Sequence, residues 1–64
     1  MNEISAKVLE EIEKIRRYDS KIAYIFASAR LSAGPIDHEK ISEYDNKIQE
    51  SKDNIVTALN DARQ

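Results

Sequence analysis

Sixty-four residues, a net charge of −2, 41% hydrophobic and 34% charged side chains, and no cysteine bound the chain to one small domain. Disulfides and cysteine metal sites are excluded, and the longest apolar run, Ile22 to Ala27, is too short to span a membrane. The chain is too apolar for a disordered tail, and its charge gives no general pull toward nucleic acid or a membrane surface.

Asn2 is placed to cap a helix, with Glu3 near the positive helix end. From Glu3 to Leu31 the residues Ile4, Val8, Ile12, Ile15, Tyr18, Ile22, Ile25 and Ala29 recur every three or four positions. That period predicts an amphipathic helix over 3–31, roughly 40 Å long. Leu9, Tyr24 and Phe26 widen its apolar stripe. Glu3 with Lys7, Glu10 with Lys14, and Glu13 with Arg17 have the spacing of i,i+4 ion pairs. The charge is uneven: residues 1–31 carry six basic and five acidic side chains, residues 32–64 four and seven. With no cysteine and no apolar leader, the expected location is the cytoplasm.

The stretch Ser32 to Asp37 holds the only Gly and the only Pro. Gly34 is expected to end the helix in a left-handed conformation, and Pro35 to prevent its continuation. Asp37 is expected to cap a second helix over 38–62. The stripe of that helix is Ile41, Tyr44, Ile48, Ser51, Ile55, Ala58 and Ala62, with a polar gap at Ser51 and Lys52. A short turn makes the helices antiparallel neighbours. Equal rise on both sides would set Tyr24 beside Tyr44 and Leu9 beside Leu59. The segment Glu13–Ile22 recurs as Glu39–Ile48, identical at seven of ten positions. In that register the two copies would lie at different heights.

The expected fold is therefore all-α: one helical hairpin over residues 1–64 with its turn at 32–37. Two helices cannot enclose a core, so self-association is expected, most simply as a two-fold dimer forming a four-helix bundle. Ile15, Ile22, Ile25, Phe26, Ala29 and Tyr44 are the expected interface.

Catalysis finds little foothold. His38, the single histidine, lies between Asp37 and Glu39 with no metal-ligand spacing and reads as a solvated side chain. One His and no Cys allow no nucleophilic triad, and one Gly allows no phosphate loop. Among Glu10, Glu11, Glu13 and Asp19, three read as ion-paired or water-facing and Asp19 as lying at the edge of the stripe. No catalytic residue, metal or cofactor is expected.

Arg17, Lys21, Tyr24 and Ser28 share one helical face, with Lys14 and Tyr18 on a neighbouring stripe. Cations beside an aromatic ring can hold a phosphate and stack a base. The leading expectation is a non-enzymatic regulatory bundle acting on a protein partner. The first alternative is sequestration of a small anionic, nucleotide-type ligand at sites between subunits, in a protein whose size and plan suit a phage or mobile element. The second is an RNA-binding hairpin dimer.

Two resemblances bear on these readings. The helix–turn–helix plan is similar in architecture to the plasmid-copy-number RNA-binding proteins that dimerise into four-helix bundles. Ile41-Ser42-Glu43-Tyr44-Asp45 resembles the Ser-Gln-Glu-Leu-Asp motif of the small aspartyl-phosphate phosphatases of the sporulation phosphorelay. It keeps Glu43 and Asp45, with Ile41 in place of Ser and Tyr44 in place of Leu. The match spans about five residues and does not assign the chain to that family; it implies Asp45 as the residue to test.

Overall fold

The computed structural model describes residues 2–63 as two α-helices, α1 (Glu3–Ser32) and α2 (His38–Ala62), packed as a hairpin. Met1 and Gln64, the ends of the expected hairpin, lie outside the described residues. Both N-terminal caps are those the sequence predicts. The Asn2 side chain accepts a hydrogen bond from the Ser5 N–H at 2.8 Å, and Asp37 accepts one from the Lys40 N–H at 3.0 Å.

The C-terminal end of α1 differs from expectation. Ala33, not Gly34, takes the left-handed conformation, at φ 53° and ψ 28°. The N–H groups of Ala33 and Gly34 both donate to the Ala29 carbonyl, and the Ser32 hydroxyl donates to the Ser28 carbonyl at 2.8 Å. Pro35 is the reason for the shift. It biases the residue before it toward extended backbone, so the reversal falls one residue earlier.

This moves the register. After Ala33 the chain runs without helical structure through residues 34–37. Residues 34–36 lead into a tight turn on Asp37 (φ −80°, ψ 84°), closed by the His38 N–H on the Ile36 carbonyl at 3.0 Å; non-helical backbone covers up to about twice the distance per residue of a helix. Thus α2 starts well back along α1, and Ile36 is half-buried in an apolar cleft with Phe26, Ala29 and Gly34. Tyr44 meets Tyr18 rather than Tyr24, with ring centroids 5.7 Å apart and planes 33° apart. Because Tyr18 and Tyr44 are equivalent positions of the repeat, the two copies lie at the same height, antiparallel, around a local two-fold axis between the rings.

The facing line of α1 is Ile4, Val8, Glu11, Ile15, Tyr18, Ile22, Ile25 and Ala29; that of α2 is Ile41, Tyr44, Ile48, Ser51, Ile55 and Ala58. Along both lines the alternate residues lean to opposite flanks of the hairpin. On one flank stand Val8, Ile15, Ile22, Ile41, Ile48 and Ile55, extended outward by Leu9, Ile12, Phe26, Val56 and Leu59. On the other stand Glu11, Tyr18, Tyr44 and Ser51, bordered by Lys14, Lys21, Lys40 and Lys47. One flank is oily and the other is wet.

The hairpin is a single helix layer, 51 × 20 × 9 Å, with a radius of gyration of 15.1 Å. A compact chain of this length has a radius near 11 Å. Ile48 is the only buried hydrophobic side chain among the described residues, whereas Phe26, Val56 and Leu59 are about half exposed. The accessible surface is 5155 Å², against about 4,200 Å² for a compact monomer of this mass.

Candidate ligand-binding groove

The tyrosine pair anchors the site. Its rings come together because the repeat puts a Tyr at the same step of each helix and the turn sets those steps level. Lys21 lies with its ammonium 5.5 Å from the Tyr44 ring centre and 5.9 Å from that of Tyr18, so one cation serves both rings. Lys40 approaches Tyr44 at 5.8 Å. A groove of about 400 Å³ opens beside this cluster, lined by Arg17, Ser20, Lys21, Tyr24, Ile25 and Tyr44. Three of the residues singled out from sequence, Arg17, Lys21 and Tyr24, thus line one concavity. Tyr18 lies beneath, as the stacking partner of Tyr44. Lys14 is drawn away to Glu11, at 3.2 Å.

The ion pairs decide which cations are free. Among the described residues none of the three expected i,i+4 pairs closes, and every ion pair is i,i+3. Lys14 meets Glu11, Lys40 meets Glu43 at 3.4 Å, and Lys47 meets Glu50 at 3.9 Å. Glu43 beside Lys40 raises the pKa of that ammonium, with smaller help from Tyr44 and Asp37. Neither Arg17 nor Lys21 has an ion-pair partner among the described residues.

The local two-fold makes a second, altered copy of the groove. Lys47, Glu50, Ser51 and Tyr18 line it with Lys14 and Asn54, around a smaller space of about 140 Å³. Repeat equivalence sets Lys47 against Lys21, Glu50 against Tyr24, Ser51 against Ile25, and Glu43 against Arg17. Carboxylates in the second copy thus replace the ring and the cation of the first. In the second copy Lys14 is paired with Glu11 and Lys47 with Glu50, whereas the cations of the first have no such partner among the described residues.

Glu11 is the residue that sequence reasoning missed. It is 1% exposed, the most buried side chain described. Burial pushes its carboxyl up, but Ser51, Lys14 and Asn54 together pull it down further, and its pKa lies below the ordinary 4.5. Its Oε1 takes the Lys14 ammonium, while Oε2 is buried with no hydrogen-bond partner. One signal could have found it. Glu11 falls between Val8 and Ile15 at helical spacing, and Ser51 is the polar gap in the second stripe. Tyr44, expected at an interface between copies, packs on Tyr18 within the hairpin and forms a wall of the groove.

Asp45 and His38 are exposed. Among the described residues no three His, Asp or Glu side chains converge to hold a metal ion. No helix is long and apolar enough to cross a membrane. What the groove offers chemically is two unpaired cations, one exposed ring and one partly covered ring. The fold belongs to the class of antiparallel two-helix hairpins. No protein-family model, curated protein or solved structure matches the chain.

Proposed function

We propose that the chain is a non-enzymatic binding protein, self-associated as a helical bundle, that captures a small anionic ligand carrying a flat ring, of nucleotide type. The observation that carries this reading is the pair of unmatched cations, Arg17 and Lys21, beside Tyr24 and Tyr44 on one groove. Every other lysine on that flank from Lys14 to Lys47 has a carboxylate within 4 Å. A phosphate would supply the missing counter-charge, in bidentate form at Arg17. The ring would stack on Tyr24, which is 73% exposed. The oily flank is the side available for self-association, which leaves the groove facing outward on each hairpin rather than between subunits. Thermal denaturation with mononucleotides, dinucleotides and inorganic phosphate tests this. A nucleotide should raise the melting temperature, more than phosphate alone, and Arg17→Ala and Lys21→Ala should each abolish the rise. No shift with any nucleotide would remove the reading; a longer RNA binding in its place, with a steep salt dependence, would favour the RNA alternative.

A second reading, action on a protein partner, is favoured by Leu31. It is 91% exposed and lies two turns beyond Tyr24 on the same face of α1. Exposed aromatic and aliphatic anchors of this kind suit a protein contact. Capture of a specific host protein, lost in Leu31→Asp and retained in Arg17→Ala, would select this reading over ligand capture.

A further inference from the structure

We propose that two copies close their oily flanks by packing α1 against the partner's α1, antiparallel, about a two-fold axis crossing the helix between Arg16 and Asp19. This rests on the self-association proposed above and fixes its geometry. The line of α1 that borders the oily flank reads Leu9, Ile12, Arg16, Asp19, Ala23, Phe26. Reversed against itself, it is complementary at every step. Arg16 meets the partner's Asp19, Ile12 meets the partner's Ala23, and Leu9 meets the partner's Phe26. Charge faces opposite charge at the centre, a large side chain faces a small one next, and apolar faces apolar at the ends.

Three observations support the pairing. Arg16 and Asp19 are both exposed, and neither has an ion-pair partner among the described residues. By the register of the tyrosine pair, Asp45 stands nearly level with Asp19 on the same flank, one helix across. The partner's Arg16 arrives at that height. The alternative two-fold, parallel to the helices, would set Asp19 against the partner's Asp45 twice and leave Arg16 unmatched; the antiparallel one sets only Asp45 against its own copy and matches both Arg16–Asp19 pairs, and like charges oppose docking. The ends also fit. The antiparallel arrangement brings Leu9, Val56 and Leu59 toward the partner's turn, where Phe26, Ala29, Gly34 and Ile36 line an apolar cleft of about 490 Å³. The surface in excess of a compact monomer, about 1,000 Å² from the 5155 Å² exposed, matches the ~800 Å² each partner contributes to a standard interface.

Sedimentation of charge variants tests the proposal. Arg16→Asp alone and Asp19→Arg alone should each weaken the dimer at least about tenfold, because both symmetric ion pairs turn repulsive. The double variant Arg16→Asp/Asp19→Arg should restore it. Engineered cysteines give an independent readout in a chain that has none. An oxidised mixture of Ile12→Cys and Ala23→Cys chains should cross-link. Each alone should not, since identical positions lie about 16 Å apart along the axis. A dimer indifferent to the charge variants, or one whose mixture fails to cross-link, overturns this geometry but not self-association. A wild-type chain that sediments as a folded monomer at micromolar concentration overturns both, while nucleotide binding at Arg17 and Lys21 could still be measured.

Discussion

Two adjacent substitutions at the turn, Ala33→Gly and Gly34→Ala, should act opposite to the sign that the amino-acid pattern suggests. Ala33 is left-handed at φ 53°, where an L side chain with a Cβ costs roughly 1–2 kcal/mol. Glycine removes that strain and in return loosens the unfolded chain by about 0.4–1 kcal/mol. The net is stabilisation by about 0.5–1 kcal/mol, or a melting temperature raised by about 2–8 °C in a domain of this size. Gly34 does not have a positive φ. A Cβ there would meet the Ser32 hydroxyl at 3.2 Å, and that hydroxyl is held by its bond to the Ser28 carbonyl. The small displacement offsets most of the ~0.4–1 kcal/mol gained by stiffening the unfolded chain. Gly34→Ala should therefore be neutral or stabilising by up to about 0.5 kcal/mol. Urea denaturation at fixed chain concentration reads both, since the proposed self-association would make stability depend on concentration. If Gly34→Ala lost 1 kcal/mol or more while Ala33→Gly gained nothing, the reversal would lie at Gly34. The path of residues 34–37, and with it the register that stacks Tyr18 on Tyr44, would then be wrong.

Three further expectations follow from the packing. The pKa of Glu11 is depressed in the folded state, so its stabilising contribution is complete above the ordinary 4.5 and is lost as pH falls through the lower folded value. Glu11→Gln should flatten the stability profile in that acid range, and an unchanged slope would show that other carboxylates set it. A double-mutant cycle on Tyr18→Leu and Tyr44→Leu should return a coupling of about 0.5–1.5 kcal/mol for the ring pair, whereas additive losses would mean the rings do not touch in solution. Asp37→Ala should cost about 1 kcal/mol through loss of the α2 cap, read by chemical denaturation; a cost near zero would show that Asp37 does not cap.

The helices were legible because their signals are local. Spacing, Asn2 and Asp37 locate each start, and the observed ends fall within a residue of expectation. The register was not legible, because it depends on how far residues 34–37 travel, and extended backbone covers about twice the distance per residue of a helix. Misjudging that length separated Tyr18 from Tyr44 and hid the meeting of the two repeat copies. It also hid Glu11, since a charged residue in a helical pattern is ordinarily assigned to water. Only when Ser51 and Asn54 are set level with it does a buried carboxylate become reasonable. Arg17, Lys21 and Tyr24 were found together because one helix face fixes their arrangement; Tyr44, the fourth wall, comes from the other helix.

The difference between the hairpin's two flanks limits how far assembly can proceed. A rod that is adhesive on both sides adds neighbours without end and grows into a sheet or fibre. If two copies pair as proposed, the side left outward is bordered by Lys14, Lys21, Lys40 and Lys47, whose like charges oppose a further layer. Growth would then stop at a discrete particle, with its grooves on opposite outer walls.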